Sequence, residues 1–397
     1  MPRLAERIEQ LTESQTIAMA QLSRELQAQG LDIISLSLGE PDFVTPEVIR
    51  EGAKKAIDDG FTKYSPIAGF LDLKQAICDK FKNENGLDFT PDQIVVSTGA
   101  KQSIANVVLC LINPGDEVIV PAPYWVSYSQ IIKLAGGVPV FITTTVENDY
   151  KVTPEQLEAA ITPKTRMLIF SSPCNPSGTV YTSQELEGIA QVVSRHDELY
   201  IVSDEIYEHI NFGGQHASIA AFPFIKERVI IINGVSKGYA MTGWRIGYIG
   251  APTWIAKACD KMQGQFTSGA SSISQKAALA ALRSDGGFFK EMCETYKRRR
   301  DLVVDALRNI PGLKVNVPMG AFYVFPDVSG FFGKTDGSTV IQNPNDLSMY
   351  LLKDAQVAVV TGEAFGDDRC IRISYATSDD LLKKAMERIT NSLGKLR

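Results

Sequence analysis

Histidine is scarce, with three in 397 residues. His196, His209 and His216 fall within one short stretch and form no HExxH pair, so a zinc enzyme would have little to draw on. The six cysteines (Cys78, Cys110, Cys174, Cys259, Cys293 and Cys370) are scattered singly without a CxxC, the usage of a reducing compartment rather than a disulfide framework. No stretch approaches the roughly 20 apolar residues of a membrane span. The first residues, MPRLAERIEQLTES, lack the apolar core of a signal peptide. An excess of positive charge is missing too: 40 Lys and Arg against 46 Asp and Glu give −6, so no global field attracts nucleic acid or anionic lipid. These absences predict a soluble, cytoplasmic protein without metal, membrane or nucleic-acid chemistry.

The chain is long enough for two domains, and its 44% apolar content is ample for a core. No low-complexity tract or fixed-period repeat interrupts it. Short apolar runs alternate with helical patterns: Ile94–Ser97, Glu117–Pro121, Val138–Thr143, Met167–Ser171, Leu199–Ser203, Val229–Asn233 and Arg245–Gly250. That rhythm predicts an α/β domain with a mostly parallel sheet. Ile104, Val107, Val108 and Leu111 recur at helical spacing, as do Leu186, Ile189, Ala190 and Val193 after the capping-box pattern Thr182-Ser183-Gln184-Glu185. From about Glu291 the texture changes to a charged helix, a strand-like Ala321–Phe325, a helix near Leu347–Asp354 and a final strand–helix pair from Ile371. The expected organisation is an N-terminal segment (1–47) belonging to a small α+β domain, a large domain (48–290) and the rest of the small domain (291–397). Within it, Lys297-Arg298-Arg299-Arg300 sits beside Glu294 and Asp301 and reads as a solvated helix face.

Three motifs fail. Gly330-Phe331-Phe332-Gly333-Lys334-Thr335 has two residues between its glycines where a P-loop needs four, and no GxGxxG follows a predicted strand. Gly234-Val235-Ser236-Lys237-Gly238 matches a nucleophile elbow, but all three histidines precede Ser236, whereas a hydrolase of that kind needs one after it. The informative residue of the pentapeptide is then the lysine.

Loops at the carboxyl ends of the predicted strands, where open α/β sheets bind ligands, carry SSPCNPSG (171–178), SDEIY (203–207) and Ser236-Lys237. A lysine there can serve as a Schiff-base amine for an aldehyde cofactor. Pyridoxal 5′-phosphate needs an acid at its ring nitrogen, donors to its phenolic oxygen and a phosphate cradle. Asp204 suits the first need, and Asn175 and Tyr207 the second. Ser97-Thr98-Gly99-Ala100-Lys101 opens a helix and, with Arg245, suits the third. Each has a plainer alternative taken singly: a helix cap, a turn or a surface ion pair.

SSPCNPSG, SDEIYEH and SKGYAMTGWRIGY, in this order, resemble the signatures of the class I aminotransferases, pyridoxal-phosphate enzymes of fold type I. LSLGEPDFVTP, KYSPIAGFLDLKQAI, GDEVIVPAPYWVSY and RISYATS extend the resemblance over nearly the whole chain, nearest to bacterial aspartate aminotransferases. The resemblance implies that Lys237 is the catalytic Schiff-base lysine and proton carrier. Arg245, eight positions on, would hold the phosphate with Gly99, Ala100, Lys101 and Ser236, and Trp125 would flank the ring. Tyr64 would reach the phosphate of a neighbouring subunit, implying a homodimer with shared active sites. Arg372 would clamp the substrate α-carboxylate, assisted by Gly39, Asn175 and Trp125. Lys101 would contact the distal carboxylate of a dicarboxylic substrate, with Thr16 adding a hydroxyl. A small domain closing over the substrate fits the distance of Gly39 and Arg372 from Lys237 in sequence.

The activity so implied is ping-pong transamination between L-aspartate and 2-oxoglutarate. The alternatives are aromatic, neutral or prephenate-type amino donors, or another pyridoxal-phosphate reaction on the same scaffold. A regulator built on this fold would need an appended DNA-binding domain, for which the proximity of Met1 to the first motifs leaves no room. Two departures stand out. Gly234 replaces a serine that many relatives carry three positions before the lysine, and Thr12 stands where relatives with prephenate activity tend to have a basic residue, which speaks against prephenate.

Overall fold

The computed structural model describes residues 4–397. Seven strands form its large sheet: β1 (Ile94–Ser97), β2 (Glu117–Ala122), β3 (Val138–Thr143), β4 (Thr165–Ser171), β5 (Tyr200–Asp204), β6 (Val229–Gly234) and β7 (Gly247–Gly250). Their order is β1-β7-β6-β5-β4-β2-β3. The runs of Val and Ile form strands buried on both faces because helices cover both sides, as in β6, where every residue is buried. Only the edge strand β3 is largely open to solvent. β2 through β6 pair parallel, which bears out the expected mostly parallel α/β sheet. β7 runs antiparallel to both its neighbours. This reversal matters for the site: the carboxyl ends of β1 and β6 meet the amino end of β7, with Gly247 opposite both Ser97 and Gly234.

Helices between the strands bury the faces their spacing dictates. Ala100–Leu111 buries Ile104, Val107 and Val108. Ser183–Ser194 buries Leu186, Ile189, Ala190 and Val193 behind a capping box in which Thr182 and Glu185 satisfy each other's backbone N–H. Burial of one such side chain stabilises by about 1.5–3 kcal/mol.

A second core gathers the C-terminal part of the chain around a small antiparallel sheet, in the order Val360–Thr361, Ile371–Ser374, Tyr323–Val324. Ile34 and Leu36 pack into this core, and the short strand Ile34–Ser35 pairs with Val357–Ala358. The long helix Gly287–Arg308 spans both bodies: Phe288 and Phe289 pack on the first core, Met292, Tyr296, Val303 and Leu307 in the second.

One expectation needs correction. The Lys297–Arg300 run is not wholly a solvated face. Arg299 and Arg300 are only 7% and 6% exposed. Arg299 donates to Asp42 Oδ1 at 2.9 Å and Asp379 Oδ1 at 3.1 Å, and Arg300 to the Pro318 carbonyl at 3.0 Å. Long stems let these guanidiniums bury while their charge finds carboxylates, remote in sequence for Arg299 and the adjacent Asp301 for Arg300. The histidines also have structural employment, each facing a glutamate: His196 with Glu158, His209 with Glu84 and His216 with Glu205.

Candidate active site

A cavity of about 390 Å³ opens at the carboxyl edge of the large sheet, between it and the second core. Lys237 projects into it from the connection after β6 and donates from Nζ to the Gly39 carbonyl at 2.6 Å. The ring of Tyr207 lies 5.7 Å from the ammonium and that of Phe322 5.9 Å. Burial, reinforced by the Arg372 and Arg245 charges and opposed by Glu40 and Asp204, lowers the Lys237 pKa to about 8. Its amine is thus poised to become a neutral nucleophile near physiological pH.

Asp204 ends β5 inside the same cavity. Burial raises its pKa to about 6, although Tyr128 Oη donates to Oδ2 at 2.7 Å and the Ile206 amide to Oδ1 at 3.3 Å. A buried carboxylate so poised awaits a cation. Tyr207 also lines the cavity, its hydroxyl 2.8 Å from that of Tyr323.

Arg372 comes from the second core yet is only 1% exposed. Its Nη1 donates to Asn175 Oδ1 at 3.0 Å and its Nη2 to the Ser37 carbonyl at 2.5 Å, while the Tyr323 and Phe365 rings cover its faces at 4.7 and 4.8 Å. Its Nε is buried without a partner. Burial pulls its pKa down, but a guanidinium stays charged. Gly39 presents its carbonyl to Lys237, and a side chain there would collide with the Tyr323 hydroxyl.

Gly99 caps the helix Ala100–Leu111, whose first two amides, of Ala100 and Lys101, have no acceptor within the helix, the Gln102 amide already donating to the Gly99 carbonyl. Arg245 lies against it, so that a side chain at Gly99 would strike its guanidinium. Arg245 holds a left-handed backbone (φ 57°), unusual for a residue with a side chain. Its Nη1 donates to the Thr242 carbonyl at 2.9 Å. Ala100, Lys101, Ser236 and Arg245 all line the cavity. Lys101 Nζ stands 5.0 Å from the ring of Trp125, which lines the same wall. Partial burial, and secondarily Arg245, lowers its pKa. Thr16 enters from the N-terminal segment, its Oγ1 buried without a partner. Gly234 explains its own departure: a side chain there would come within 2.8 Å of Gly247 Cα and the Ile246 carbonyl, so the serine of relatives has no room on this backbone.

Of the expected residues, Gly99 and Tyr64 do not line the cavity: Gly99 lies beside it against the Arg245 guanidinium, whereas Tyr64 is 99% exposed. Among the cavity residues that the sequence did not single out are Tyr128, Tyr323 and Glu40, which contacts the Thr242 hydroxyl. Tyr128 ends the PYWVSY string, three positions after Trp125, and that spacing on a helix start was its only signal.

The residues fit pyridoxal 5′-phosphate. The buried, partnerless Arg372 Nε and Ser171 Oγ mark a cavity whose polar groups await a ligand. A helix N-terminus beside Arg245 and Lys101 suits a phosphate, Asp204 suits a pyridinium, and Lys237 an aldehyde. An open α/β sheet with a buried lysine and an anion cradle at its carboxyl edge defines an enzyme that works through a phosphorylated aldehyde cofactor.

Comparison with known proteins agrees. The family profile for aminotransferase class I and II matches residues 31–389. An aspartate/prephenate aminotransferase of Cereibacter sphaeroides is 48% identical over 392 residues, covering 98% of each chain. A bifunctional aspartate aminotransferase and glutamate/aspartate-prephenate aminotransferase of Petunia hybrida is 48% identical over 395 residues, 98% of this chain and 82% of that protein. The crystal structure of the aspartate aminotransferase from Rhizobium meliloti superposes with a TM-score of 0.97 at 44% identity, covering all of both chains. That of the Thermus thermophilus aspartate aminotransferase with maleate gives 0.93 at 41%, covering 99% of this chain and 100% of the other. The chain belongs to the class I and II aminotransferases. It is a pyridoxal-phosphate-dependent enzyme.

Proposed function

We propose that the enzyme transfers the amino group of L-aspartate to 2-oxoglutarate. The observation that carries this reading is the pair of cations lining the cavity around Lys237: Arg372 from the second core and Lys101 from the phosphate-side helix. Two carboxylates on one substrate call for two such groups. Relatives named as aspartate aminotransferases, one of them solved with the dicarboxylate maleate, support it.

When bound, the cofactor supplies an aldehyde carbon and an electron-withdrawing ring. Lys237 would present Nζ to that carbon and, as the freed amine, would take up the proton leaving the substrate Cα. Asp204 would pair with the ring nitrogen and keep it protonated. Asn175 and Tyr207 would donate to the phenolic oxygen. The backbone amides of Gly99, Ala100 and Lys101, with Ser236 and Arg245, would hold the phosphate, and Trp125 would flank the ring. Arg372 binds the α-carboxylate in a bidentate pair with Gly39 close by. Lys101 and Thr16 address the distal carboxylate. The oxo acid leaves before the second substrate enters, as ping-pong exchange requires. Residues 1–47 and 291–397 act as the small domain that closes on the substrate, and 48–290 as the large one.

Tyr64, wholly exposed, reaches the cavity of a second copy in a homodimer, and the enzyme works in the cytoplasm. No helix of the described residues is long and apolar enough to cross a membrane. A second reading, transamination of prephenate, is supported by relatives carrying that name. The test is a half-reaction panel of amino acids followed by loss of visible cofactor absorbance. Aspartate and glutamate should react fastest, and Lys101→Ala should weaken both about tenfold or more, the loss of a charge-assisted bond, while sparing alanine. Equal loss for alanine and aspartate would remove Lys101 from substrate recognition, and a prephenate-derived donor outpacing aspartate would favour the second reading.

A further inference from the structure

The segment after β5 has two faces. Asp204 and Tyr207 turn into the cavity. Glu205 and Glu208 turn the other way, into the body beneath it, and are 1% and 6% exposed. Glu208 Oε1 contacts the buried Lys80 ammonium and also accepts from Asn233 Nδ2 at 2.7 Å. Its Oε2 accepts from Asn85 Nδ2 at 2.8 Å. Lys80 and Asn85 belong to the helix Leu71–Asn85. Asn233 lies in β6, four positions before Lys237, and its Oδ1 accepts from the Gly234 amide at 2.7 Å.

A buried ion pair of this kind is weak evidence for stability, because apolar side chains of equal volume often serve a fold as well. What apolar side chains would not supply is the directional bond to Asn233. That bond joins two neighbouring strand ends, one leading to Lys237 and the other to Asp204.

We propose that Glu208 is a positioning residue: through Asn233 it ties the strand leading into Lys237 to the segment carrying Asp204 and Tyr207, and so sets the lysine's height against its acid and its phenol. The proposal rests on the roles given above to Lys237 and Asp204. Burial raises the Glu208 pKa, but Lys80, His209 and His216 outweigh it and hold the carboxyl well below the usual carboxylate range. Glu84 faces the cluster from the same helix as Lys80, and Glu205 pairs with His216. Glu208 is therefore a fixed acceptor across the working pH range.

Asn233→Asp tests the clasp with almost no change of shape. It keeps Oδ1 for the Gly234 amide and replaces the donor to Glu208 by a carboxylate oxygen. In the holoenzyme at pH 8, kcat for aspartate should fall roughly 10- to 100-fold, as for a misplaced reacting group, with KM changed less than about threefold. The pH midpoint of the cofactor's visible band should also move. At lower pH the two facing carboxyls share a proton, the clasp re-forms, and the variant's kcat relative to wild type should recover. In the cofactor-free protein, amide exchange over 234–237 should be faster than in wild type. Wild-type kcat, midpoint and exchange in Asn233→Asp would overturn the proposal. If that variant fails to fold, Lys80→Met combined with Glu208→Met removes the clasp without stranding a charge. A folded double variant should show the same loss of kcat and shifted midpoint, and wild-type values would overturn the proposal equally. A wild-type enzyme whose cofactor is not fixed to Lys237 by borohydride would instead refute the reading of the site.

Discussion

The large sheet and the second core build one cavity by different means. The sheet contributes strand ends locked in a single hydrogen-bonded ladder: Lys237 after β6, Asp204 at the end of β5, Asn175 after β4. The second core contributes Arg372, whose partners Ser37 and Asn175 lie 335 and 197 positions away in sequence. On the proposed reading, the bond-making groups stand on the body whose geometry is fixed by neighbouring strands, and the proposed carboxylate-binding group, Arg372, stands on the body joined through the helix Gly287–Arg308. Sheet-side changes should therefore strike kcat, and second-core changes substrate binding.

The sharpest break is Lys237→Ala, which on the proposed reading removes both the attachment point and the proton carrier. Single-turnover rates should fall by at least roughly 10⁴-fold, the upper range for a general base alone, and borohydride should no longer fix the cofactor. A smaller effect is expected from Arg372→Lys. A point charge replaces a planar fork, so kcat/KM for aspartate should drop about 10- to 100-fold, mostly in KM, from the loss of a charge-assisted bond. An effect carried entirely by kcat would erase the contrast between the two bodies.

The mildest test concerns the cost of the sheet-side chemistry. In the cofactor-free protein burial holds the Lys237 pKa at about 8, against 10.5 for the free side chain. Between those values the unfolded chain binds more protons than the folded one, so stability rises with pH through this window, and the penalty is full below pH 8. Cofactor-free Lys237→Met should therefore melt higher than wild type at pH 7, and the gap should narrow as pH rises from 8 towards 10.5. Asp204, raised to about 6, acts in the opposite sense: its contribution to stability falls as pH climbs from about 4 to 6. Melting curves of the wild type and Asp204→Asn across that range check the sign.

Much of this was legible because it is local. β1 and β3 have the bounds that their apolar runs predict, and the capping box at Thr182 forms as spaced. Strand direction is not local: the pattern of β7 resembles its neighbours', and only the ladder reveals that it runs backwards. Burial of charge is not local either. Arg299 meets Asp42 across 257 positions, and Lys80 meets Glu208 across 128, so neither pairing leaves a trace in the residues beside it. Tyr323 escaped for the same reason: its hydroxyl meets Tyr207 from 116 positions away.

The reversed strand has one further consequence. β6 and β7 form a hairpin whose connection carries both Lys237 and Arg245, so the buried amine and the guanidinium beside the helix N-terminus travel on one piece of chain. Their separation is set by the length of that connection and by no other loop. Lengthening the loop after β4 would displace Asn175 and leave both of these groups in place. One residue inserted between 237 and 245 would change the reach from Lys237 to Arg245, which makes this hairpin a transplantable cassette.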